Sequence, residues 1–325
     1  MPALPAWLLL HFAGAVIGTW LARRYALRGN LLDQPGERRS HAVPTPRGGG
    51  IAIVAMVLLA SVILGVQGAA DRWLLWSFAP GLLMVAGIGW WDDHRPLSPG
   101  LRLGVHAFAG ALLALGIWSA TGDAVFAVVA LLLALGLVNV WNFMDGINGL
   151  AASQALLAAL AYAAIIPGNG GLPWVAWGLF AACAGFLPFN FPRARIFLGD
   201  VGSGALGYAL AALAASSMAA SPRAGASLAL LPLCAFLVDA GFTLAWRMLR
   251  GDRWWTPHVS HLYQRAARRW GHTAVTVIYL VFGGVTLLLS FTLSNTPLQT
   301  TVAVVAGTYG VGGTLWVLLR RGWRD

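Results

Sequence analysis

Residues 124–150 read AVFAVVALLLALGLVNVWNFMDGINGL, and this stretch decides the class of fold. Its first fifteen residues are all apolar or glycine, and the run predicts a span over residues 123–140. About 20 apolar residues in a helix cross the hydrocarbon core of a bilayer. Inside the bilayer every backbone N–H needs a partner within its own segment, so such a span is helical. The polar second half begins where the span leaves the membrane.

Similar apolar runs recur along most of the 325 residues, which are 58% hydrophobic and only 10% charged. Soluble domains are about a quarter charged, so the composition excludes a large soluble protein with buried helices. We therefore predict an all-α, polytopic transmembrane helix bundle of ten or eleven spans, forming a single domain over residues 1–325. The eleven predicted spans are residues 4–22, 50–67, 73–91, 102–120, 123–140, 149–167, 173–189, 202–220, 226–246, 274–293 and 299–319.

The distribution of arginine predicts the orientation of this bundle. All 21 basic residues are arginines. With a periplasmic N-terminus, 19 of them fall in loops that face the cytoplasm, and only Arg72 and Arg223 face outward. Positive residues gather on the cytoplasmic side of membrane proteins. The pattern predicts a multi-pass protein of a bacterial inner membrane. It also accounts for the net charge of +10 through contact with the lipid bilayer, without nucleic-acid binding.

Most acidic residues lie on the predicted cytoplasmic side, so we expect the active site there. Asp92 and Asp93 follow Gly-Trp-Trp at the inner end of the third span. Adjacent carboxylates repel each other and resist burial, which favours a bound cation or a water-filled cleft. Oxygen ligands of this kind suit Mg²⁺. The alternative is a solvated helix end. Asp239 is predicted within a span and should face the bundle or a cavity, because exposure to lipid is costly.

Four polar side chains recur at every third residue of the quoted stretch: Asn139, Asn142, Asp145 and Asn148. In a helix such positions drift slowly around one face. The glycines at 146 and 149 let a ligand or another backbone approach closely. We favour a ligand site here, and the alternatives are a polar contact between helices or a helix C-cap.

A glycine-rich segment, Phe197-Leu-Gly-Asp200-Val-Gly-Ser203-Gly, precedes the eighth span. Glycines with a short acid and a hydroxyl at a helix start can place backbone N–H groups and a metal-binding carboxylate near a phosphate. The alternative is an ordinary N-cap with glycine turns. Its position on the same face as the other acids favours the functional interpretation.

Histidines and arginines cluster in the longest cytoplasmic loop. His258 and His261 are three residues apart, and Arg265 follows them. No further ligands follow at zinc spacing, and histidine with arginine is better suited to holding phosphates. A solvated basic loop near lipid head groups is the alternative. A second segment, rich in proline and glycine, carries His41 and Arg47 before the second span. Arg47 either contacts an anionic substrate or only anchors the topology.

These segments, in this order, resemble the polyprenyl-phosphate N-acetylhexosamine-1-phosphate transferase superfamily, glycosyltransferase family 4. The superfamily includes the phospho-MurNAc-pentapeptide translocase and the enzymes that initiate O-antigen synthesis, and the resemblance covers about residues 33–272. It implies that a UDP-N-acetylhexosamine gives its sugar 1-phosphate to undecaprenyl phosphate, with release of UMP. It further implies Mg²⁺ as the cofactor, with Mn²⁺ as an alternative. A homodimer is suggested by analogy alone.

The resemblance also implies a role for each motif. Asp200 resembles the main metal ligand, and Asp92 and Asp93 resemble the pair that orients or deprotonates the lipid phosphate and supports the metal. The stretch around Asn142 resembles the nucleotide-binding segment, Phe197 a base-stacking residue, and the two histidines the diphosphate-binding pair. Taken with the patterns above, the predicted catalytic residues are Asp92, Asp93, Asp145, His258 and His261. The predicted substrate-binding residues are His41, Arg47, Asn139, Asn142, Asn148, Phe197, Ser203 and Arg265.

The sequence departs from the family pattern at three places, and the third, together with the absence of any large insert, guides the choice of substrate. Asn148 stands where many members carry a second aspartate, and Arg95 stands where some have lysine. The His-Val-Ser-His form differs from the three-histidine loop of the peptidoglycan enzyme. We therefore favour the branch that initiates O-antigen or exopolysaccharide synthesis, with GlcNAc, GalNAc, QuiNAc or FucNAc as the sugar. The alternatives are a phospho-MurNAc-pentapeptide transferase and a membrane transporter. A CDP-alcohol-type enzyme is disfavoured because its acids form one compact motif.

Overall fold

The computed structural model describes residues 2–34, 43–166, 168, 170–220, 225–253 and 258–323, and these are mostly helical. The helices are α1 (Leu4–Arg28), α2 (Ile51–Val66), α3 (Arg72–His94), α4 (Pro99–Thr121), α5 (Ala124–Met144), α6 (Leu150–Ile165), α7 (Gly171–Asn190), α8 (Asp200–Ala220), α9 (Gly225–Leu228), α10 (Cys234–Leu249), α11 (Leu262–Trp270), α12 (His272–Leu293) and α13 (Leu298–Gly322). A short 3₁₀ helix, Leu231–Leu233, joins α9 to α10.

Within the described residues, nine helical segments are long and apolar enough to cross a membrane, and α9 with α10 form one of these, Ala226–Leu249. Helices α2 and α6 are also apolar but have 16 residues each, which is about 24 Å at the helical rise. All eleven coincide with the predicted apolar runs. The prediction of an all-α polytopic membrane protein is therefore confirmed, while the number of spans and the orientation stay predictions.

Helix α8 is the centre of the bundle. Every residue from Val201 to Met218 is buried. The helix is built largely of glycine, alanine and serine, and small residues let membrane helices approach each other closely. At Gly207 an added Cβ would collide with the backbone of Leu137 in α5. This close packing fixes the position of α8, and with it the position of its first residue, Asp200.

Helices α3 and α5 both pack along α8, and α4 packs against α3 and α5. Helix α3 comes so close at Gly89 that an added Cβ would collide with the backbone carbonyl of Asp200. The C-terminal ends of α3 and α5 therefore lie beside the N-terminal end of α8. Three of the predicted motifs thus reach the same end of the bundle.

The segment before α2 contains a short antiparallel ladder that the sequence analysis did not predict. Strand β1 (Leu32–Asp33) pairs with strand β2 (Thr45–Pro46). Beyond the ladder, the backbone N–H of Phe197 donates to the carbonyl oxygen of Pro46 at 2.7 Å, and that of Gly49 donates to the carbonyl oxygen of Phe197 at 2.9 Å. These bonds attach the segment before α2 to the loop before α8.

Helix α11 is also absent from the predicted elements. It has nine residues and begins directly after His261. One face of the helix is buried and consists of Leu262, Tyr263, Ala266 and Ala267. Its arginines lie outside this buried face. The predicted long loop therefore contains a short amphipathic helix.

Candidate active site at one end of the helix bundle

The carboxylates of Asp92 and Asp200 meet at one guanidinium. Nη1 of Arg102, near the start of α4, lies 2.8 Å from Oδ2 of Asp92 and 3.3 Å from Oδ2 of Asp200. The other oxygen of Asp92 accepts the backbone N–H of Leu97 at 2.6 Å. About a third of the Asp200 side chain, 34%, is exposed. Two carboxylates and a guanidinium thus form a cluster that a ligand can reach.

The sequence pattern marks Arg102 only as one of the inward-facing arginines. Its contacts with Asp92 and Asp200 add it to the candidate site. The signal in the sequence was its position ten residues after Asp92, across a short turn between two spans. That spacing places an arginine at the start of one helix beside an acid at the end of the previous one.

Asp93 has a different environment from its neighbour. Its side chain is buried, and its Oδ1 and Oδ2 accept the backbone N–H groups of Asp200 and Val201, each at 3.1 Å. Arg47 donates to the backbone carbonyl of Asp93 and lies 3.9 Å from its carboxylate. A carboxylate at a helix start pairs amides that lack partners and is favoured by the helix dipole. Asp93 therefore fixes the start of α8, and with it Asp200.

This capping overturns one interpretation of the glycine-rich segment. The next two amides of α8, from Gly202 and Ser203, donate to the carbonyl oxygen of Gly199. None of the first four amides of α8 is left to cradle a phosphate. The glycines instead serve backbone conformation and close packing. Gly199 has φ +76°, in the left-handed region that favours glycine. An added Cβ at Gly202 would lie 2.7 Å from the Cα of Gly50.

The four polar residues of the quoted stretch do not share one helical face, because α5 ends at Met144. Asn139 lies within α5, where its Nδ2 donates to the carbonyl oxygen of Leu135 at 2.7 Å. Asp145 follows the last helical residue, and Asn148 lies in the turn before α6. The helical interpretation therefore holds for the first two positions only.

The other asparagines of this stretch contact the segments around α8. Nδ2 of Asn142 donates to Oγ of the buried Ser203 at 3.2 Å. Nδ2 of Asn148 donates to the carbonyl oxygen of Pro192 at 3.1 Å. These contacts tie the end of α5 and the following turn to α8 and to the loop before it. Substrate contacts of Asn139, Asn142, Asn148 and Ser203 stay predictions.

Asn190 is a second residue that the sequence analysis passed over. It is buried at the end of α7, where its Oδ1 accepts the backbone N–H of Gly149 at 2.8 Å. Its Nδ2 donates to the carbonyl oxygen of Ile196 at 2.9 Å. The side chain thereby joins the turn after Asp145 to the loop before Asp200. The sequence does contain a sign of this role, because Asn190 carries a polar side chain directly after the predicted seventh span, residues 173–189.

The carboxyl group of Asp145 lies in the field of the other acids. Burial raises the pKa of Asp145 well above its usual value, and the carboxylates of Asp200 and Asp93 raise this pKa further. Like charges in a desolvated site favour a bound proton or a cation. The three carboxyl groups therefore form one electrostatic unit.

His258 and His261 lie in an extended segment before α11 and do not share a helical face. Their ring centroids are 4.9 Å apart. Nδ1 of His258 lies 2.9 Å from Oγ of Ser260, and Arg320 of α13 donates to the carbonyl oxygen of Ser260 at 2.8 Å. Burial lowers the pKa of His258 to about 4, and the charges of His261, Arg247 and Arg320 contribute to the shift. His258 is therefore neutral near pH 7.

Tyr263 joins the histidine segment to the stretch that carries Asp145. Its hydroxyl group donates to the carbonyl oxygen of Phe143 at 2.8 Å. The same hydroxyl lies against Gly146, where an added Cβ would collide with it. The ring of His261 lies 6.1 Å from that of Phe143, in a stacked arrangement. The histidines and the acids are thus at the same end of the bundle.

The remaining predicted residues have varied positions. Phe197 is partly exposed beside the start of α8, and Arg47 contacts Asp93. Arg265 donates to the backbone carbonyl of Trp323, at the end of α13. His41 lies outside the described residues. The substrate contacts predicted for Arg47, Phe197, Arg265 and His41 stay predictions.

The donor set of the acid cluster suits a hard divalent cation. Among the described residues, no group of three or more His, Cys, Asp or Glu side chains is placed to enclose a metal ion. Mg²⁺ in phosphoryl-transfer sites is usually held by one or two carboxylates together with substrate phosphates and water. Asp92 and Asp200 supply two such carboxylates, and they already share one cation, the Arg102 guanidinium.

The chain is similar to a known protein family and to individual members of it. The family described as glycosyl transferase family 4 matches residues 75–218, which include Asp92, Asp93, Asp145 and Asp200. The chain is 32% identical to the decaprenyl-phosphate N-acetylglucosaminephosphotransferase of Mycobacterium tuberculosis (strain ATCC 25618 / H37Rv), over 98% of this chain and 89% of that protein. It is 26% identical to the probable undecaprenyl-phosphate N-acetylglucosaminyl 1-phosphate transferase of Bacillus subtilis (strain 168), over 82% of this chain and 78% of that protein. It is 32% identical to the phospho-N-acetylmuramoyl-pentapeptide-transferase of Heliobacterium modesticaldum (strain ATCC 51547 / Ice1), over 64% of this chain and 73% of that protein.

Proposed function

The chain belongs to glycosyl transferase family 4, the polyprenyl-phosphate N-acetylhexosamine-1-phosphate transferases, and we propose that it transfers N-acetylhexosamine 1-phosphate from a UDP-sugar to undecaprenyl phosphate. An oxygen of the lipid phosphate forms a bond to the sugar-linked phosphorus of the donor. The bond from that phosphorus to the bridging oxygen breaks, and UMP leaves. The product is a lipid-linked sugar diphosphate.

One observation carries this proposal: the carboxylates of Asp92 and Asp200 share the Arg102 guanidinium at the end of the bundle where the neutral histidines also lie. Transfer of a phosphoryl group between two anions needs positioning and charge neutralisation more than covalent catalysis. A cluster of carboxylates with a cation, at the same end of the bundle as two histidines, supplies these two requirements. Its location at the end of membrane-length helices suits an acceptor whose chain stays in the bilayer.

Asp200 and Asp92 would hold Mg²⁺, with Mn²⁺ as the alternative. When bound, the cation would neutralise charge on the donor phosphates and on the phosphorus under attack. Asp145 belongs to the same group of acids in this proposal, since the charge of Asp200 contributes to its raised pKa. Asp93 serves chiefly as a positioning group in this proposal, since both its oxygens receive amides of α8.

The other predicted residues bind and orient the substrates. His258 and His261 face the diphosphate as neutral hydrogen-bonding groups, since the pKa of each is lowered by burial. The segment from Asn142 to Asn148 and the ring of Phe197 hold the uridine. Arg47 attracts the phosphate of the acceptor. The orientation follows from the arginine bias: the site faces the cytoplasm of a bacterium, where UDP-sugars are found.

The proposed pathway is the start of O-antigen or a related cell-envelope glycan. Support comes from the His-Val-Ser-His form of the histidine motif, which differs from that of the peptidoglycan enzyme. A specific observation favours a second candidate, phospho-MurNAc-pentapeptide transfer, because the chain is also 32% identical to an enzyme of that name over 64% of its length. The donor decides between the two.

The test is a donor panel with purified protein, Mg²⁺ and undecaprenyl phosphate. We expect UMP release and a lipid-linked product from one UDP-N-acetylhexosamine among UDP-GlcNAc, UDP-GalNAc, UDP-QuiNAc and UDP-FucNAc. UDP-MurNAc-pentapeptide belongs in the same panel, and activity with it alone would favour the second candidate. Absence of UMP and of lipid product with every donor would refute the proposed function. Flux of a solute into proteoliposomes without UMP release would favour a transporter.

A further inference from the structure

Asp239 is a buried carboxylate for which the proposed reaction has no use. It lies in α10, and 2% of it is exposed. Its two oxygens accept five hydrogen bonds. The donors are the backbone N–H groups of Leu262 (2.8 Å) and Tyr263 (3.0 Å), the hydroxyl groups of Tyr279 (2.8 Å) and Thr243 (3.2 Å), and the indole N–H of Trp316 (3.3 Å). A buried charge with this many donors is fully paired and holds its donors in one arrangement.

The two backbone donors are the first amides of α11. One amide goes to Oδ1 of Asp239 and the next goes to Oδ2. Asp93 receives the amides of Asp200 and Val201 at the start of α8 in the same manner. Both helices therefore begin on a buried carboxylate that comes from another helix.

The segment fixed in this way carries the histidines. His261 is the residue immediately before α11, and its ring lies beside that of His258. The carboxylate also receives the hydroxyl group of Tyr279 from α12 and the indole of Trp316 from α13. The start of α11 is thereby tied to three other helices through one side chain.

Capping also limits how this segment meets an anion. An uncapped helix start presents free amides to a phosphate. Here Asp239 accepts the amides of Leu262 and Tyr263, so these amides are not available to a diphosphate. Contact with a diphosphate falls to side chains, and the candidates in this segment are His258, which is half-buried, and His261, which is 4% exposed. Their position depends on where α11 begins.

We propose that Asp239 is a positioning residue that sets the location of His258 and His261 at the donor diphosphate. This inference rests on the proposed function. The carboxylate acts through the start of α11 and through its own approach to the ring of His261, whose Nδ1 lies 4.0 Å from Oδ1 of Asp239. Loss of its charge is expected to loosen that start and to weaken donor binding more than it slows the chemical step.

The chain supplies a matched control at the opposite end of the bundle. Asp71 accepts the consecutive amides of Gly171 (2.6 Å) and Leu172 (3.0 Å) at the start of α7. Asp71→Asn removes the same type of cap without involving the histidine segment. The pair Asp239→Asn and Asp71→Asn therefore separates loss of a cap from loss of histidine position.

The experiment combines hydrogen–deuterium exchange with steady-state kinetics. In Asp239→Asn we expect the peptide containing Leu262 and Tyr263 to exchange roughly tenfold faster, the scale of a lost helix cap. The donor KM should rise by a similar factor, with a smaller fall in kcat. In Asp71→Asn the peptide at the start of α7 should exchange faster, with the donor KM unchanged.

Two results would overturn the inference. One is faster exchange at α11 in Asp239→Asn with an unchanged donor KM, and the other is an equal rise of KM in Asp71→Asn. If Asp239→Asn does not fold, Tyr279→Phe removes one donor and should shift both measurements in the same direction by less. If Tyr279→Phe changes neither the exchange at the start of α11 nor the donor KM, the inference is overturned. Absence of UMP release by the wild-type protein with every donor refutes the proposed function itself, and with it this inference.

Discussion

Asp200 is the single residue whose substitution tests the candidate site most directly. Its carboxylate lies beside Asp92 and Arg102 at the start of the buried helix α8. Asp200→Asn keeps the shape and removes the charge that would hold a cation. We expect UMP release to fall by roughly 100-fold or more, the scale seen when one electrostatic contact to a transition state is removed. The measurement is the turnover rate at saturating Mg²⁺, with gel filtration to check folding.

Asp252→Asn is the control for this change. Asp252 is an exposed aspartate that forms an ion pair of 3.9 Å with Arg247, and exposed pairs contribute little to stability. We expect near wild-type turnover in this variant. Turnover above a tenth of the wild-type rate in Asp200→Asn would contradict the assignment of Asp200.

A second prediction concerns pH and His258. Burial lowers the pKa of His258 to about 4 in the folded protein, whereas an unperturbed histidine titrates near 6.5. Between these values the unfolded chain binds the proton more readily, so the folded state loses stability as the pH falls from about 6.5 toward 4. His258→Gln does not titrate. The Tm in detergent should therefore fall less for this variant than for the wild type between pH 7 and pH 5, and equal falls would count against the prediction.

The sequence predicted the acids and histidines of the site from their residue types and their side of the membrane. It did not predict the role of Arg102, because an inward-facing arginine is already explained by topology. It did not separate Asp92 from Asp93 either. That difference depends on α3 lying against the start of α8, which is a contact between elements over 100 residues apart. Such contacts have no local pattern in one sequence.

At the scale of the element, the close approach of α3 to α8 predicts that a larger residue at the contact point will disturb the site. An added Cβ at Gly89 would collide with the backbone of Asp200, whereas one at Gly87 of the same helix meets nothing within 4 Å. We expect Gly89→Ala to destabilise the protein by about 1–3 kcal/mol, the usual range for overpacking, and to lower turnover by displacing Asp200. Thermal unfolding and UMP release measure the two effects.

Gly87→Ala is the matched control because it changes the same residue type in the same helix. Its side chain would point into open space, so stability and turnover should stay near wild type. If the two variants behaved alike, the close contact between α3 and the start of α8 would not control the site.

The elements that the sequence did not predict share a physical cause. Hydropathy is averaged over about the length of a span, so it detects the eleven long runs. Helix α11 has nine residues, three of them arginines, so it is too short and too charged to give such a signal. Residues 226–249 have a high mean hydropathy and form one apolar run, so hydropathy does not show that this span begins with a short helix and a 3₁₀ turn. Pro232 is the only mark of that break in its sequence.

At the scale of the whole molecule, two sets of contacts join segments that the arginine pattern assigns to the same side. At one end, the loop before α8 contacts the segment before α2 and the turn after α5. At the other end, Asp71 contacts the start of α7. These two sets of contacts lie at the two ends of α3. Which end faces the cytoplasm is still a prediction from the positive-inside rule.

Cysteine labelling tests both the orientation and the number of spans. The natural cysteines, Cys183 and Cys234, are buried, so the wild-type protein should give little background. Gln67→Cys follows α2 and Asp252→Cys follows α10, and both positions are exposed. We expect a membrane-impermeant maleimide to label Gln67→Cys in intact inner-membrane vesicles of right-side-out orientation. It should label Asp252→Cys only after the vesicles are permeabilised.

The two positions are separated by seven predicted spans, so they report parity as well as orientation. The short helix α6 is one of the seven, and at about 24 Å it must be matched by thinning or adjustment of the bilayer if it crosses. Labelling of both cysteines from the same side would mean that one of these helices does not cross. Labelling of Asp252→Cys alone in intact vesicles would reverse the orientation and put the acids and histidines outside. A UDP-sugar donor made in the cytoplasm could then not reach the site, so this outcome would refute the proposed reaction as well as the topology.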